Sequence, residues 1–166
     1  MTAGLVALAV LVPMLIESAI AARHDRRLRD LGAVEPRDDV FRWMQVSYPG
    51  AFAAMIIEGW IRGTSDPTLR LAGIVTFLVA KGLKYWAVAT LGERWTFKVL
   101  VPPRSTRIVR GPYRLLRHPN YVAVVGELAG VALMMGARVA GPIGTGVFLV
   151  LILARIRVEE RALATR

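Results

Sequence analysis

"RGPYRLLRHPNYVAVVGELAG", residues 110–130, decides how this chain is read. Its first half carries Arg110, Arg114, Arg117, His118, Tyr113 and Tyr121; from Val122 onward it is apolar, with a single carboxylate, Glu127, inside. Pro119 suits the first turn of a helix, where no backbone donor is missed. The stretch therefore predicts a helix that begins at a polar mouth and runs into apolar surroundings. A plain membrane anchor needs neither the crowded mouth nor the glutamate.

Composition identifies those surroundings. Of 166 residues, 55% are hydrophobic, the net charge is +10 and the mean hydropathy is +0.47. Soluble domains are about 45–50% apolar, with their charges dispersed. Here the charges fall between long apolar runs such as "TAGLVALAVLVPMLI" (2–16) and "TGVFLVLILA" (145–154), as in a multi-pass membrane protein. A nucleic-acid binder would share the basic charge but not these runs. The absence of cysteine excludes disulfides, thiolate metal sites and a catalytic thiol. With only His24 and His118, no protein-ligated zinc site is expected.

The apolar segments fall at about 2–22, 41–61, 69–91, 119–137 and 141–157, within about 2–4 residues at each end. They predict an all-α integral membrane protein of about five transmembrane helices, the last two a hairpin around "GARVAGP". The whole chain reads as one domain, with a three-helix part (1–91) followed by a loop, hairpin and C-terminal segment (92–166). "AIA" at 19–21 has the small-x-small pattern of a cleavage site. "MTAG" lacks a positive n-region, however, and Glu17 interrupts the run, so the first segment is read as a helix that stays. "GPIGTG" (141–146) lacks the preceding strand of a nucleotide-binding loop, and no Rossmann domain is expected.

Arginines orient the segments. Arg23, Arg26, Arg27, Arg29 and Arg37 lie in the charged loop 23–39. Arg94, Lys98, Arg104, Arg107, Arg110, Arg114 and Arg117 lie in the connection 92–118, and Arg157, Arg161 and Arg166 in the tail. The other side holds only Arg62, Arg70 and Arg138. The positive-inside rule then puts the N-terminus outside, and the long connection and C-terminus in the cytoplasm. That basic face also suits anionic lipid, at about 1 kcal/mol per Lys or Arg near the surface.

Glu17, Glu58, Lys81, Lys84 and Glu127 lie within or at the edges of the apolar segments. Each would cost about 2.5–3.5 kcal/mol at mid-bilayer, so partners or water are expected. Glu17 and Lys84 have similar depths, which suits a structural ion pair or a snorkelling lysine, and Lys81, Lys84 and Tyr85 share one helix face that could line a cavity. Glu127, about 9 Å along the axis from Tyr121, reads equally as a buried acid bonded to a neighbouring helix and as an acid facing a polar pocket.

At the mouth, His118 and Asn120 flank a helix N-terminus, whose free N–H groups and partial positive charge suit a carboxylate. Arg117 adds to that preference, and the Tyr121 ring can take a cation. In the tail, Arg155 and Glu159 are four residues apart, and Arg157 and Glu160 three. If the last two segments form a hairpin, "RHPNY" and "RIRVEE" return to the same side and enclose one polar chamber.

The combination "LGERWTFKVLV…STRIVRGPYRLLRHPNYVA", a two-helix hairpin and "RIRVEERAL", over roughly 91–163, resembles the isoprenylcysteine carboxyl methyltransferases and their bacterial relatives. The resemblance implies a membrane enzyme that uses S-adenosylmethionine in a cytoplasm-facing pocket and takes its lipidic acceptor from the bilayer. It assigns Arg117, His118, Pro119, Asn120, Tyr121 and Glu160 to the cofactor, and Arg155 and Glu159 to catalysis; Glu127 joins them as the candidate base that a phenol or enol acceptor would need. Ala123 stands where the family often has glycine. Many relatives continue past the two glutamates into an aromatic-rich tail expected to help close the pocket, whereas this sequence ends at Arg166.

A carboxylate acceptor needs positioning more than a base, whereas a phenol, with a pKa of about 10, gains from a base or a nearby cation. "RHPNYVAVVGE" looks closer to relatives that methylate hydroxyls of long-chain phenols and pyrones, and the Arg- and Ala-rich composition suggests a bacterial plasma membrane. Oxygen methylation of a lipidic small molecule is therefore the expectation. The alternatives are carboxyl methylation of prenylcysteine and a non-catalytic scaffold with a basic face.

Overall fold

A computed structural model describes residues 3–36, 40–63, 66–100 and 108–164. The described residues form helices α1 (Ala3–Asp30), α2 (Phe41–Arg62), α3 (Pro67–Leu91), α4 (Pro119–Met135) and α5 (Ala140–Ala164), with short 3-10 turns at Gly92–Arg94 and Gly111–Arg114 and no strand. Arg37, Arg104, Arg107 and Arg166, counted above for orientation, lie outside the described residues.

Stretches within α1, α3 and α5 are long and apolar enough to cross a membrane, and α4 is a shorter apolar helix. α2 has 22 residues but carries Arg42, Gln45 and Glu58, and is not among the long apolar helices. The sequence expectation of a charged loop from Arg23 needs correction: α1 continues to Asp30. At 1.5 Å per residue its 28 residues reach about 42 Å, beyond about 30 Å of hydrocarbon, so an arginine-rich end projects into water. Arginine and leucine are good helix formers, and nothing in "RHDRRLRD" stops the helix.

α4 lies at the centre. Leu128 and Val131 are fully enclosed by a core that includes Val6 and Val10 of α1, Phe52 and Met55 of α2, Phe77 of α3, and Phe148 and Ile152 of α5. Leu5, Leu8, Leu11 and Leu15 of α1, Val75, Leu78 and Val79 of α3, and Val150 and Leu153 of α5 face outward. Apolar side chains on the outside of every long helix suit lipid contact.

Two features set α4 in place. α3 and α4 cross with backbone against backbone, since a Cβ on Gly73 would lie 2.5 Å from the Met134 nitrogen and one on Gly130 2.8 Å from the Phe77 nitrogen. The hairpin follows Gly136, a left-handed C-cap, and Ala137 N–H donates to the Ala132 carbonyl at 2.9 Å. α5 has no acid in its own first turn. Glu58 of α2 supplies one, accepting from the N–H groups of Val139 (3.1 Å) and Ala140 (2.6 Å).

Candidate functional site: a polar chamber where α4 begins

The hairpin makes α4 and α5 antiparallel, so the start of α4 meets the end of α5. His118 precedes α4 with no side-chain cap, and Pro119 is buried at its first turn. The His118 and Tyr121 rings stack at 5.6 Å and 25°. Arg155 of α5 is buried and donates through Nε to the Tyr121 hydroxyl at 2.9 Å. That hydroxyl donates to Glu159 Oε2 at 3.1 Å, so one phenol bridges an arginine and a carboxylate. His118 Nδ1 is 3.8 Å from Glu159 Oε2 and its Nε2 3.8 Å from Glu160 Oε1. Arg117 Nη2 lies 3.4 Å from Glu160 Oε1 at the more exposed rim.

Residues 95–99 form a strap over the chamber. Its Phe97 carbonyl accepts from Arg155 Nη2. On the far side His24 Nδ1 of α1 donates to the Trp95 carbonyl at 2.8 Å, and Glu35 is held by Arg29 and by Lys98 at 3.4 Å. Burial alone would raise the Glu35 pKa; the Arg29 hydrogen bond and the Lys98 charge outweigh it and leave Glu35 below its usual range. Buried Val99 packs with Val158 of α5. The α1 extension thus helps hold the strap that anchors Arg155.

The turn "GPYR" closes another side. Gly111 has φ +56°, and a Cβ there would meet the Thr90 hydroxyl at 2.5 Å. Tyr113 follows; burial, and then the nearby Glu159 carboxylate, push its phenol above its usual pKa, so it stays protonated.

The structure therefore brings together Arg117, His118, Tyr121, Arg155, Glu159 and Glu160, six residues that sequence reasoning selected. At the start of α4, His118 Nε2 and the side-chain oxygen of Asn120 are buried with no hydrogen-bond partner among the described residues. Such groups are costly unless a ligand or water completes them. Sequence reasoning missed the Phe97 carbonyl, which has no side-chain signal, and Tyr113, which stood in view in "RGPYR".

Glu127 lies elsewhere. It belongs to a buried ring of alternating charge shared by α1, α3 and α4. Lys81 Nζ lies 3.0 Å from Glu17 Oε1 and 3.2 Å from Glu127 Oε2. Lys84 Nζ lies 2.5 Å from Glu17 Oε2 and 3.4 Å from Glu127 Oε1. Tyr48 of α2 donates to Glu127 Oε2 at 2.5 Å. Of the two readings of matched depth, the Glu17–Lys84 ion pair is the one present, enlarged into a four-residue ring. Tyr85, expected on the same face, is about half exposed, with its ring 5.8 Å from Lys81 Nζ.

Comparison with known proteins bears on the same region. The profile of the isoprenylcysteine carboxyl methyltransferase family matches residues 72–165, more than half of the chain and every residue of the chamber. An uncharacterized protein of Bacillus subtilis, YpbQ, is 27% identical over 154 residues, covering 93% of this chain and 92% of its own. An uncharacterized protein of Haemophilus influenzae is 24% identical over 147 residues, covering 88% and 86%.

Proposed function

The chain belongs to the isoprenylcysteine carboxyl methyltransferase family of membrane methyltransferases, and on that premise we propose that it transfers a methyl group from S-adenosylmethionine to an oxygen of a lipidic small molecule. The observation that carries the reading is the Arg155–Tyr121–Glu159 bridge beside the stacked His118 ring, whose buried Nε2 has no hydrogen-bond partner among the described residues. A protein that only anchored itself by a basic face would have no use for such a chamber.

The donor set suits this cofactor, which would supply an electrophilic methyl group on a sulfonium. Arg117 and the Asn120 N–H, the first that α4 offers after Pro119, would hold its carboxylate. Glu160 would take its ammonium, and the His118 and Tyr121 faces suit cationic character. His118 Nε2 and the Asn120 side-chain oxygen, one on each side of Pro119, are polar partners in reserve.

Arg155 is held by the Tyr121 hydroxyl and the Phe97 carbonyl, so its charge is fixed before an acceptor arrives. It would orient a carboxylate, or lower the pKa of a hydroxyl. A hydroxyl acceptor must lose a proton, and Glu159 Oε2, already accepting from Tyr121, would receive it. Glu127 acts at one remove in this reading. Engaged by two lysines and Tyr48, it fixes the depth of α4 and hence of His118 and Tyr121, as a positioning residue.

A single domain with five spans fits this scheme. Exposed Trp43 and Trp60 stand near the two ends of α2, about 26 Å apart at 1.5 Å per residue, the spacing of two interfacial belts. The arginine-rich end, with the chamber, would face the cytoplasm of a bacterial plasma membrane, leaving the N-terminus outside.

Calorimetry on detergent-purified protein tests the cofactor first. Saturable S-adenosylmethionine binding is expected for the wild type and is lost in His118→Ala and Glu160→Ala. Lipidic phenols and carboxylic acids are then screened for methyl incorporation. A folded wild type that binds no cofactor would overturn the proposal in favour of a scaffold.

A further inference from the structure

At the end of the bundle away from His118, α3, α4 and α5 border a groove of about 750 Å³. That volume lies within the range of small-molecule sites, about 300–1,000 Å³. Leu69 of α3, Ala129 and Leu133 of α4, and Pro142 of α5 give it apolar walls, while Arg62, Asp66 and Arg138 line it as well. These charges are not equivalent. Asp66 caps α3, accepting from Thr68 N–H at 2.8 Å and Leu69 N–H at 3.3 Å. Arg62 pairs through Nε with Glu58 at 2.9 Å, and Glu58 also caps α5. The Arg138 side chain is exposed, with no hydrogen-bonding or charged partner among the described residues.

Depth identifies what this cation faces. Trp60, 74% exposed and two residues before Arg62, is the type of side chain that sits at headgroup level. The charged side chains are then at the membrane surface. The walls below, reaching to Ala129 about 10 Å along α4 from Gly136, are at acyl-chain depth. We propose that this groove binds one anionic phospholipid of that leaflet, with an acyl chain against Leu69, Ala129 and Leu133 and the phosphate on Arg138. An exposed arginine over apolar walls complements such a molecule, and the site is independent of methyl transfer at the opposite end.

Native mass spectrometry of the purified protein in an equal mixture of phosphatidylglycerol and phosphatidylcholine of identical chains tests the proposal. One retained lipid is expected, with phosphatidylglycerol preferred by about fivefold, the factor that one interfacial arginine contributes. Arg138→Gln brings the preference to about one while still retaining a lipid, and Ala129→Phe, which fills the floor, retains neither. Added inorganic phosphate leaves the lipid in place. The proposal fails if the wild type retains no lipid, if it takes both equally, if the preference survives in Arg138→Gln, or if phosphate displaces the lipid.

Discussion

Replacing Lys84 by methionine tests whether the buried ring is one balanced electrostatic unit. Methionine keeps most of the length and removes the charge. The Lys84 side chain is 3% exposed and touches both glutamates, at 2.5 Å and 3.4 Å. Its loss leaves Glu17 and Glu127 facing Lys81 alone, one net negative charge inside the bundle. Removing one partner of a buried ion pair costs about 3–5 kcal/mol. For a chain of this size each kcal/mol is worth about 2–4 °C, so Tm should fall by about 10 °C.

The second substitution makes the test sharp. Adding Glu17→Gln to Lys84→Met restores neutrality, since Lys81 and Glu127 remain paired at 3.2 Å. The double variant should therefore recover more than half of the loss, although two native side chains are gone. Thermal unfolding of the wild type, both single variants and the double variant, followed by circular dichroism in one detergent at pH 7, completes the cycle. A Lys84→Met variant within about 2 °C of the wild type would refute the reasoning. So would a double variant whose loss equals the sum of the two singles.

Other consequences follow from individual contacts. Tyr121→Phe removes the hydroxyl that bridges Arg155 and Glu159; hydrogen bonds to charged groups are worth about 1.5–3 kcal/mol, so Tm should fall by about 3–12 °C, and methyl transfer about 10–100-fold in a radiolabelled-methyl assay below that Tm. Gly130→Ala drives a Cβ to 2.8–2.9 Å from α3 backbone atoms and should cost about 1–3 kcal/mol or more, whereas Gly82→Ala, with nothing within 4 Å, should not; melting curves compare them. Glu35 has a folded pKa below its unfolded value, so its contribution is present above about pH 4.5 and is lost as pH falls through the folded value. The Tm difference between wild type and Glu35→Gln should accordingly be larger at pH 6 than at pH 3.5.

What could be read from the sequence follows from what each residue reports. Apolar runs report where lipid is, and the starts of α2 to α5 fall within a few residues of the expected ones. Charges report where lipid ends, which is a different place from where a helix ends; the arginines after Ala22 therefore looked like a loop although they continue α1. "RHPNY" and "EE" are local signals, each carrying its chemistry in adjacent residues, and the hairpin alone suffices to bring them together. The Tyr121 bridge needs more, because the side on which Arg155 emerges from α5 depends on packing against α4. The strap needs more still, since it holds Arg155 through a backbone carbonyl that any residue would provide.

Glu127 shows how far depth alone can be taken. Its position along α4 follows from counting residues, and so does the similar depth of Glu17 and Lys84. Rotation about the helix axis cannot be counted in this way, because it is fixed by what lies behind each helix. Gly73 and Gly130 let α3 and α4 approach to backbone contact. Lys81 and Lys84 thereby turn toward Glu127, with Glu17 of α1 completing the ring. Gly130, less than one turn from Glu127, and Gly73, two to three turns from the lysines, thus help commit an acid, legible equally as a pocket carboxylate or a structural one, to two lysines. It follows that a bulky residue at position 130 should disturb the ring as well as the crossing. If Lys84→Met were as harmful in a Gly130→Leu background as in the wild type, that dependence would be absent.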